Sequence, residues 1–231
     1  MSIQTSDRPL GAMGDHVRVS ADRSSRADET RARLLAAAER LFAEHGLTAV
    51  SNRQISEAAG QGNNFAVGYH FGSRTELIRE LLRSHQEPID AIRARMVSEV
   101  GYVSQVRDWL RCLVQPQLEH IGTSPGPTYY GQFWRQLAND PASVELVYRE
   151  GAESQPLADI LSGLYRTLPA LPEEAVRVRN LMSQNILIST FADFEHRRNE
   201  LGALDITSWS GFSESMVDGL VGLWLAPVTA G

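Results

Sequence analysis

The 231-residue chain has no lysine: all 22 of its basic residues are arginine. Arginine is the better bidentate ligand for phosphate and guanine, but so complete an absence points to coding bias rather than to selection at a site. There is one cysteine, Cys112, which excludes an internal disulfide and rules out zinc ribbons and knuckles. No apolar run approaches the ~18–20 residues needed to cross a bilayer; the longest candidates lie near Leu220–Val228. The first 27 residues lack the hydrophobic stretch of a secretory signal. No segment alternates with period two and no repeat is visible. Also missing are G-x-S-x-G, H-E-x-x-H, a phosphate loop and a dinucleotide fingerprint. The adjacent acids and histidines at Glu119-His120 and Asp193–His196 read as solvated helix faces rather than metal ligands. These absences lead to the expectation of a cytoplasmic, reduced, non-membrane protein that is not an enzyme and holds no metal or cofactor.

Hydrophobic residues make up 42% of the chain and charged ones 22%, enough to bury a core in two modest domains or one large one. The net charge of −6 hides an asymmetry. Residues 1–83 carry 11 arginines against 10 acids, whereas residues 84–231 carry 11 against 18. Such a split suggests halves with different partners.

Residues 1–27 are rich in Ser, Asp, Arg and Gly without an apolar period and read as a flexible arm. From Asp28, Leu34, Leu35, Ala38, Leu41 and Phe42 recur at the helical period, with Gly46 as the stop. Ser51 caps a short helix over 52–59, and Gly60 and Gly62 break it. A second short helix spans about 64–70, after which Gly72-Ser73 leads into a long helix carrying Leu77, Ile78, Leu81 and Leu82. Helix, turn and helix in about twenty residues, with small residues at the bend, is the geometry of a DNA-reading helix-turn-helix. Further helices are expected over 103–121, 129–139, 143–149, 157–167, 173–199 and 207–225, with Pro88 a kink or pivot in the long one. The fold class is all-α: a three-helix DNA-binding domain over 28–74, then a larger helical domain over 75–231.

Ile55-Ser56-Glu57-Ala58-Ala59-Gly60 and Gly68-Tyr69-His70-Phe71-Gly72-Ser73-Arg74-Thr75-Glu76-Leu77, preceded by Leu41-Phe42-Ala43-Glu44-His45-Gly46, resemble the helix-turn-helix of TetR-family transcriptional regulators. The resemblance covers about 30–82. The turn at Gln61–Phe65 is one residue longer than the family's commonest, which leaves the register of the reading helix open by one. Gly68 replaces what is usually a large residue. The resemblance implies phosphate clamps at His70 and Arg74; His70 alternatively packs at a helix end. The residues themselves place base reading on Asn63, Asn64, Phe65, Ala66 and Gly68, since asparagine pairs with adenine and Ala66 or Phe65 meets a thymine methyl. Asn63 equally suits a turn cap. Ser51, Arg53, Gln54 and Tyr69 are candidates for phosphate or flanking contacts.

One short reading helix has too little surface for specific binding, and the resemblance implies a homodimer on a palindromic operator. Its interface is expected on the last two helices: Leu181, Phe191 and Phe194 on one, Trp209, Phe212, Met216, Leu220 and Trp224 on the other. The alternative is that one stripe faces the subunit's own core. Trp109, Cys112, Leu113, Pro116, Gln117, Tyr129, Tyr130, Phe133, Trp134 and Met182 form an aromatic middle. The resemblance makes that region a pocket for a small apolar or aromatic effector, although an ordinary core fits it too. Pro116, lacking an N–H, would leave the Cys112 carbonyl without its helical donor. The expected function is a ligand-responsive DNA-binding regulator, most often a repressor in such families. The alternative is an all-helical small-molecule-binding dimer or enzyme without operator recognition.

Overall fold

A computed structural model describes residues 13–101, 103–124, 126–201 and 209–228, the side chains of 13–24, 201, 209 and 210 excepted. Within them the secondary structure is helical, with no strand. The first helix, α1 (Met13–His45), is followed by α2 (Asn52–Ala58), α3 (Ala66–Phe71) and the long α4 (Arg74–Glu99). The flexible arm expected over 1–27 is therefore helical from Met13; residues 1–12 lie outside the described residues. The costly step in helix formation is the first turn, and the packed stretch from Leu34 supplies it. The polar residues before it then add one hydrogen bond each.

Gly46, Gly60 and Gly72 have φ of 83°, 69° and 75°, the left-handed region that lets three helices stop abruptly without steric cost. Ser51 and Gln54 close a reciprocal capping box on α2, and the Ser73 hydroxyl accepts from the Glu76 N–H to start α4. Leu34, Ala38 and Phe42 of α1 meet Ile55 of α2, Val67 and Phe71 of α3, and Leu77 and Leu81 of α4 in one buried cluster. Three residues of the body, Phe133, Leu137 and Leu146, belong to the same cluster. The boundary expected at residue 74 thus cuts through the head's own interior.

The body comprises α5 (Val106–Gly122), α6 (Tyr130–Asn139), α7 (Val144–Glu153), α8 (Gln155–Thr167), α9 (Glu173–Leu201) and α10 (Trp209–Leu225). Pro88 and Pro116 lie inside continuous helices. α5 packs on α4, α8 and α10, tied to α10 by Arg111 with Glu214 (2.9 Å) and by Arg107 with Asp218. Trp109 lies so close over Gly163 that a Cβ there would sit 2.3 Å from its ring. α6 crosses α9 at Gly131, where a Cβ would come within 3.1 Å of the Phe191 carbonyl. Glu195 of α9, fully buried, accepts the Gln132 N–H at 2.9 Å in the first turn of α6. A carboxylate there satisfies amides that the helix leaves open, while burial raises its pKa.

The body's interior is built from Trp109, Leu110, Val114, Phe191, Phe194, Met216, Val217, Leu220 and Trp224. Five residues expected at a dimer interface therefore face their own subunit: Phe191, Phe194, Met216, Leu220 and Trp224. Both last helices carry broad apolar faces; α10 closes chiefly on α5, and α9 chiefly on α6. Phe212 is half-buried against Phe194, ring centroids 4.3 Å apart. The Trp209 side chain lies outside the described residues.

Candidate nucleic-acid interface

The α2–α3 pair is a wedge with one face buried and the other open. Ile55, Ser56 and Ala59 on α2, with Ala66, Val67 and Phe71 on α3, point inward. Ser51, Arg53, Gln54, Asn63, Asn64, Phe65, Gly68 and Tyr69 are exposed. Ala66, expected at a base edge, is instead part of the core, because α3 begins there and its first residue must share the inner face with Val67. The outer face is aromatic: Phe65 and Tyr69, four residues and one turn apart, are 80% and 83% exposed. Large rings so open to water mark an interaction surface. Gly68 lies between them, with nothing within 4 Å of where a Cβ would stand. Asn63 serves the turn, its Oδ1 accepting the Phe65 N–H at 2.9 Å, while Asn64 makes no such bond among the described residues.

Two arginines hold this wedge from behind. Arg31 of α1 donates to the His70 carbonyl and to Glu80 of α4, and lies over the Phe71 ring at 4.6 Å. It thereby satisfies a terminal carbonyl of α3 that the helix cannot pair itself. Arg74 donates to the Leu47 carbonyl and, at 3.4 Å, to Asn52 Oδ1, with its guanidinium 4.8 Å over Phe42. Burial lowers its pKa, with nearby Asp140 opposing. Its donors are turned toward the chain's own α1–α2 turn rather than outward to phosphate. His70 is half-buried, its ring edge-on to Tyr69 at 5.0 Å. Arg53 is exposed and paired with Glu57 at 2.8 Å, so a phosphate would have to compete with that carboxylate.

Of the aromatic middle, Leu113, Gln117 and Trp134 come together around a cavity of about 420 Å³, with Leu82, Arg93, Tyr148, Glu150, Leu161, Leu187 and Phe191 also in its wall. The other expected lining residues lie elsewhere. Trp109 packs on Gly163, while Cys112 and Pro116 are buried away from the cavity, and burial pushes the Cys112 thiol up to about 11. Phe133 stacks on Phe42 in the head (6.1 Å), and Met182 is 46% exposed on the outside of α9. Tyr129 and Tyr130 line a second cavity of about 520 Å³, into which Arg33, Glu39, Arg40, His85 and His120 bring ionisable groups. There His85 Nδ1 lies 2.8 Å from His120 Nε2, and its Nε2 faces Glu39 of α1 at 3.3 Å. Burial and the neighbouring His85 bring His120 down to about 4, Glu39 opposing.

Residues 34–81, which span the wedge and its supports, match the family described as bacterial regulatory proteins, tetR family. Over this segment, about a fifth of the chain, it is similar to the tetR family. Over 111 residues it is 32% identical to the HTH-type transcriptional repressor AcnR of Corynebacterium efficiens, an overlap of 48% of this chain and 46% of that one. The chain thus spans less than half the length of that curated relative. Similarity of fold extends further. A TetR-family transcription regulator from Marinobacter aquaeolei superposes with a TM-score of 0.57 at 15% identity, covering 87% of this chain and 96% of that one. NalD, the secondary repressor of the MexAB-OprM multidrug efflux pump in Pseudomonas aeruginosa, does so with 0.55 at 20%, covering 88% and 100%. These relatives and neighbours are transcriptional regulators. No helix among the described residues is long and apolar enough to cross a membrane.

The outward apolar face of the body lies on α9, where Val178, Leu181, Met182 and Ile186 are 39–59% exposed. Leu181 is the expected interface residue that the fold leaves open. Beside it on α10, Gly219 and Gly222 have open space at their Cβ positions. Two residues, Arg31 and Arg93, escape the sequence reading, and a third, Phe133, lies elsewhere than expected. Arg31 acts across 39 residues of chain, beyond any local pattern. Phe133 turns to the head while its neighbour Trp134 turns to the cavity, which only the placement of α6 decides. Arg93 was legible: it continues the spacing Leu82, Gln86, Ile89, which puts it on the inner stripe of α4.

Proposed function

We propose that the protein is a homodimeric, cytoplasmic transcriptional repressor that binds a palindromic operator through the α2–α3 wedge. A small molecule entering the cavity beside Trp134 releases it. One observation carries this reading: an aromatic, water-exposed outer face, Phe65 and Tyr69, on a wedge whose inner face is wholly buried. Asn64 would read adenine, Phe65 and Tyr69 would meet thymine methyls and sugars, and Ser51 with the first amides of α2 would seat a phosphate. Arg53 would reach phosphate on leaving Glu57, with His70 beside it. Arg74 is a positioning residue that fixes the turn ahead of α2. Two copies joined through the outer face of α9 and α10 would present two wedges, about 34–36 Å apart on adjacent major grooves.

Release is supported by the way the two cores share helices. α6 gives Phe133 to the head and Trp134 to the cavity, and Leu82 of α4 belongs to both the head's cluster and the cavity wall. A ligand that prefers one setting of α6 and α4 would shift the spacing of the heads by no more than that preference in free energy. Selection from random-sequence duplexes tests the reading, with fluorescence anisotropy measured across a salt series. Enrichment of a two-fold symmetric site, bound more weakly as salt rises, is expected. Absence of any enriched site at low salt would discard operator recognition.

A further inference from the structure

The wall of the 420 Å³ cavity is apolar on the sides given by Leu113, Trp134, Leu161, Leu187 and Phe191, but α4 brings a cation to it. Arg93 is only 3% exposed. Its Nη1 donates to Asp90 at 2.9 Å, while its buried Nε has no hydrogen-bond partner. Nη2 donates to no described residue either. One whole edge of the guanidinium, Nε with Nη2, is thus left without an acceptor, and a buried donor left unmade is costly. Elsewhere in this chain that same edge takes carboxylates. Arg111 holds Glu214 by it at 2.9 and 3.0 Å, and Arg83 holds Glu150 by it at 2.6 and 3.4 Å.

The neighbours sharpen the choice of ligand. Glu150, the carboxylate in the cavity wall, is already engaged by Arg83 and, at 3.3 Å, by Arg79. Asp90 already accepts from Gln86 as well as from Arg93. Gln117, 2% exposed, has its Oε1 occupied by the Tyr130 hydroxyl at 3.1 Å, so what it still offers is its amide N–H. The cavity therefore holds unpaired donors against an aromatic and aliphatic wall, and lacks a free acidic group to receive a ligand cation.

We propose that the effector is a hydrophobic carboxylic acid, aromatic in its body. Its carboxylate sits on the Nε–Nη2 edge of Arg93 beside the Gln117 amide, and its ring lies against Trp134 and Phe191. Planar, bidentate capture of a carboxylate is what a guanidinium edge does best, and burial excludes the water that would compete. This inference rests on the cavity being the effector site proposed above.

Calorimetric titration of the full chain with 2-naphthoate and with its neutral analogue 2-naphthamide tests it. The acid is expected to bind about tenfold or more tightly than the amide, the span of one charged hydrogen-bonded pair. In Arg93→Gln paired with Asp90→Asn, which leaves no carboxylate stranded, the preference should vanish while the amide still binds. Leu161→Trp, which fills the cavity, should abolish both. Equal affinities for acid and amide in the unaltered protein overturn the proposal, and need no variant to fold. So does a preference that survives the double substitution, or failure of the acid to bind at millimolar concentration. Operator affinity separates this from the parent reading. Release by naphthamide as readily as by naphthoate keeps effector control and removes the acid. Naphthoate bound through Arg93 without any change in operator affinity keeps the acid site and removes effector control.

Discussion

Gly68 sits in the middle of α3 with helical backbone and open space where a side chain would begin. Nothing inside the chain asks for glycine there, and in a helix of six residues it costs about 1 kcal/mol relative to alanine. A glycine that packing does not require is one that an outside surface can approach closely. Gly68→Ala is therefore expected to raise the melting temperature and, at the same time, weaken DNA binding; calorimetry and anisotropy read the two effects separately. Arg74 has the opposite character. Arg74→Met keeps an alkyl stem over Phe42 but removes the donors to Leu47 and Asn52, so the head should lose about 1–3 kcal/mol. DNA affinity should then fall with the salt slope unchanged, whereas loss of a true phosphate contact would flatten that slope by about one unit. The sequence marked both positions as belonging to the wedge. It did not tell which way Arg74 points, because the groups that decide this, the Leu47 carbonyl and the Phe42 ring, are about thirty residues upstream.

The helices themselves were largely readable. Capping at Ser51 and Ser73 and the glycines at 46, 60 and 72 placed the head's element ends to within a residue or two, except the start of α1, which lies at Met13 instead of Asp28, and the breakers at Gly122–Pro127 and Pro169–Pro172 did the same for the helix ends beside them in the body. Pairing between helices was not readable. An apolar stripe says that a side is buried but not against what, which is why Phe194, Met216, Leu220 and Trp224 looked like an interface and form an interior. The junction of α1, α4, α5 and α6 was equally hidden, and it carries a pH dependence. His120 faces His85, with the Tyr130 ring edge-on and Glu39 beyond, and burial holds it neutral, its pKa down from an ordinary 6.5 to about 4. As the pH falls from about 6.5 towards 4, the unfolded chain binds a proton that the folded chain refuses, so stability declines through that window. Glu195, its pKa raised by burial, contributes with the opposite sign. Comparison with His120→Gln isolates the imidazole: urea midpoints at pH 7.5 and 4.5 should differ more in the unaltered protein than in the variant.

Association of two copies depends on how much apolar surface the folded monomer leaves uncovered, and α9 leaves Val178, Leu181, Met182 and Ile186. Leu181→Arg is expected to give a monomer by analytical ultracentrifugation at micromolar concentration, with the monomer's melting temperature little changed because the side chain is 59% exposed already. A dimer that persists would remove the α9 face from the account. The interior shared between the two parts has a further consequence for anyone who would cut the molecule. Phe133, Leu137 and Leu146 complete the hydrophobic cluster around Phe42, so a fragment ending near residue 81 would carry an oily socket open to water. Such a minimal reading module should come out insoluble or clumped, and only the undivided polypeptide would give a well-behaved sample.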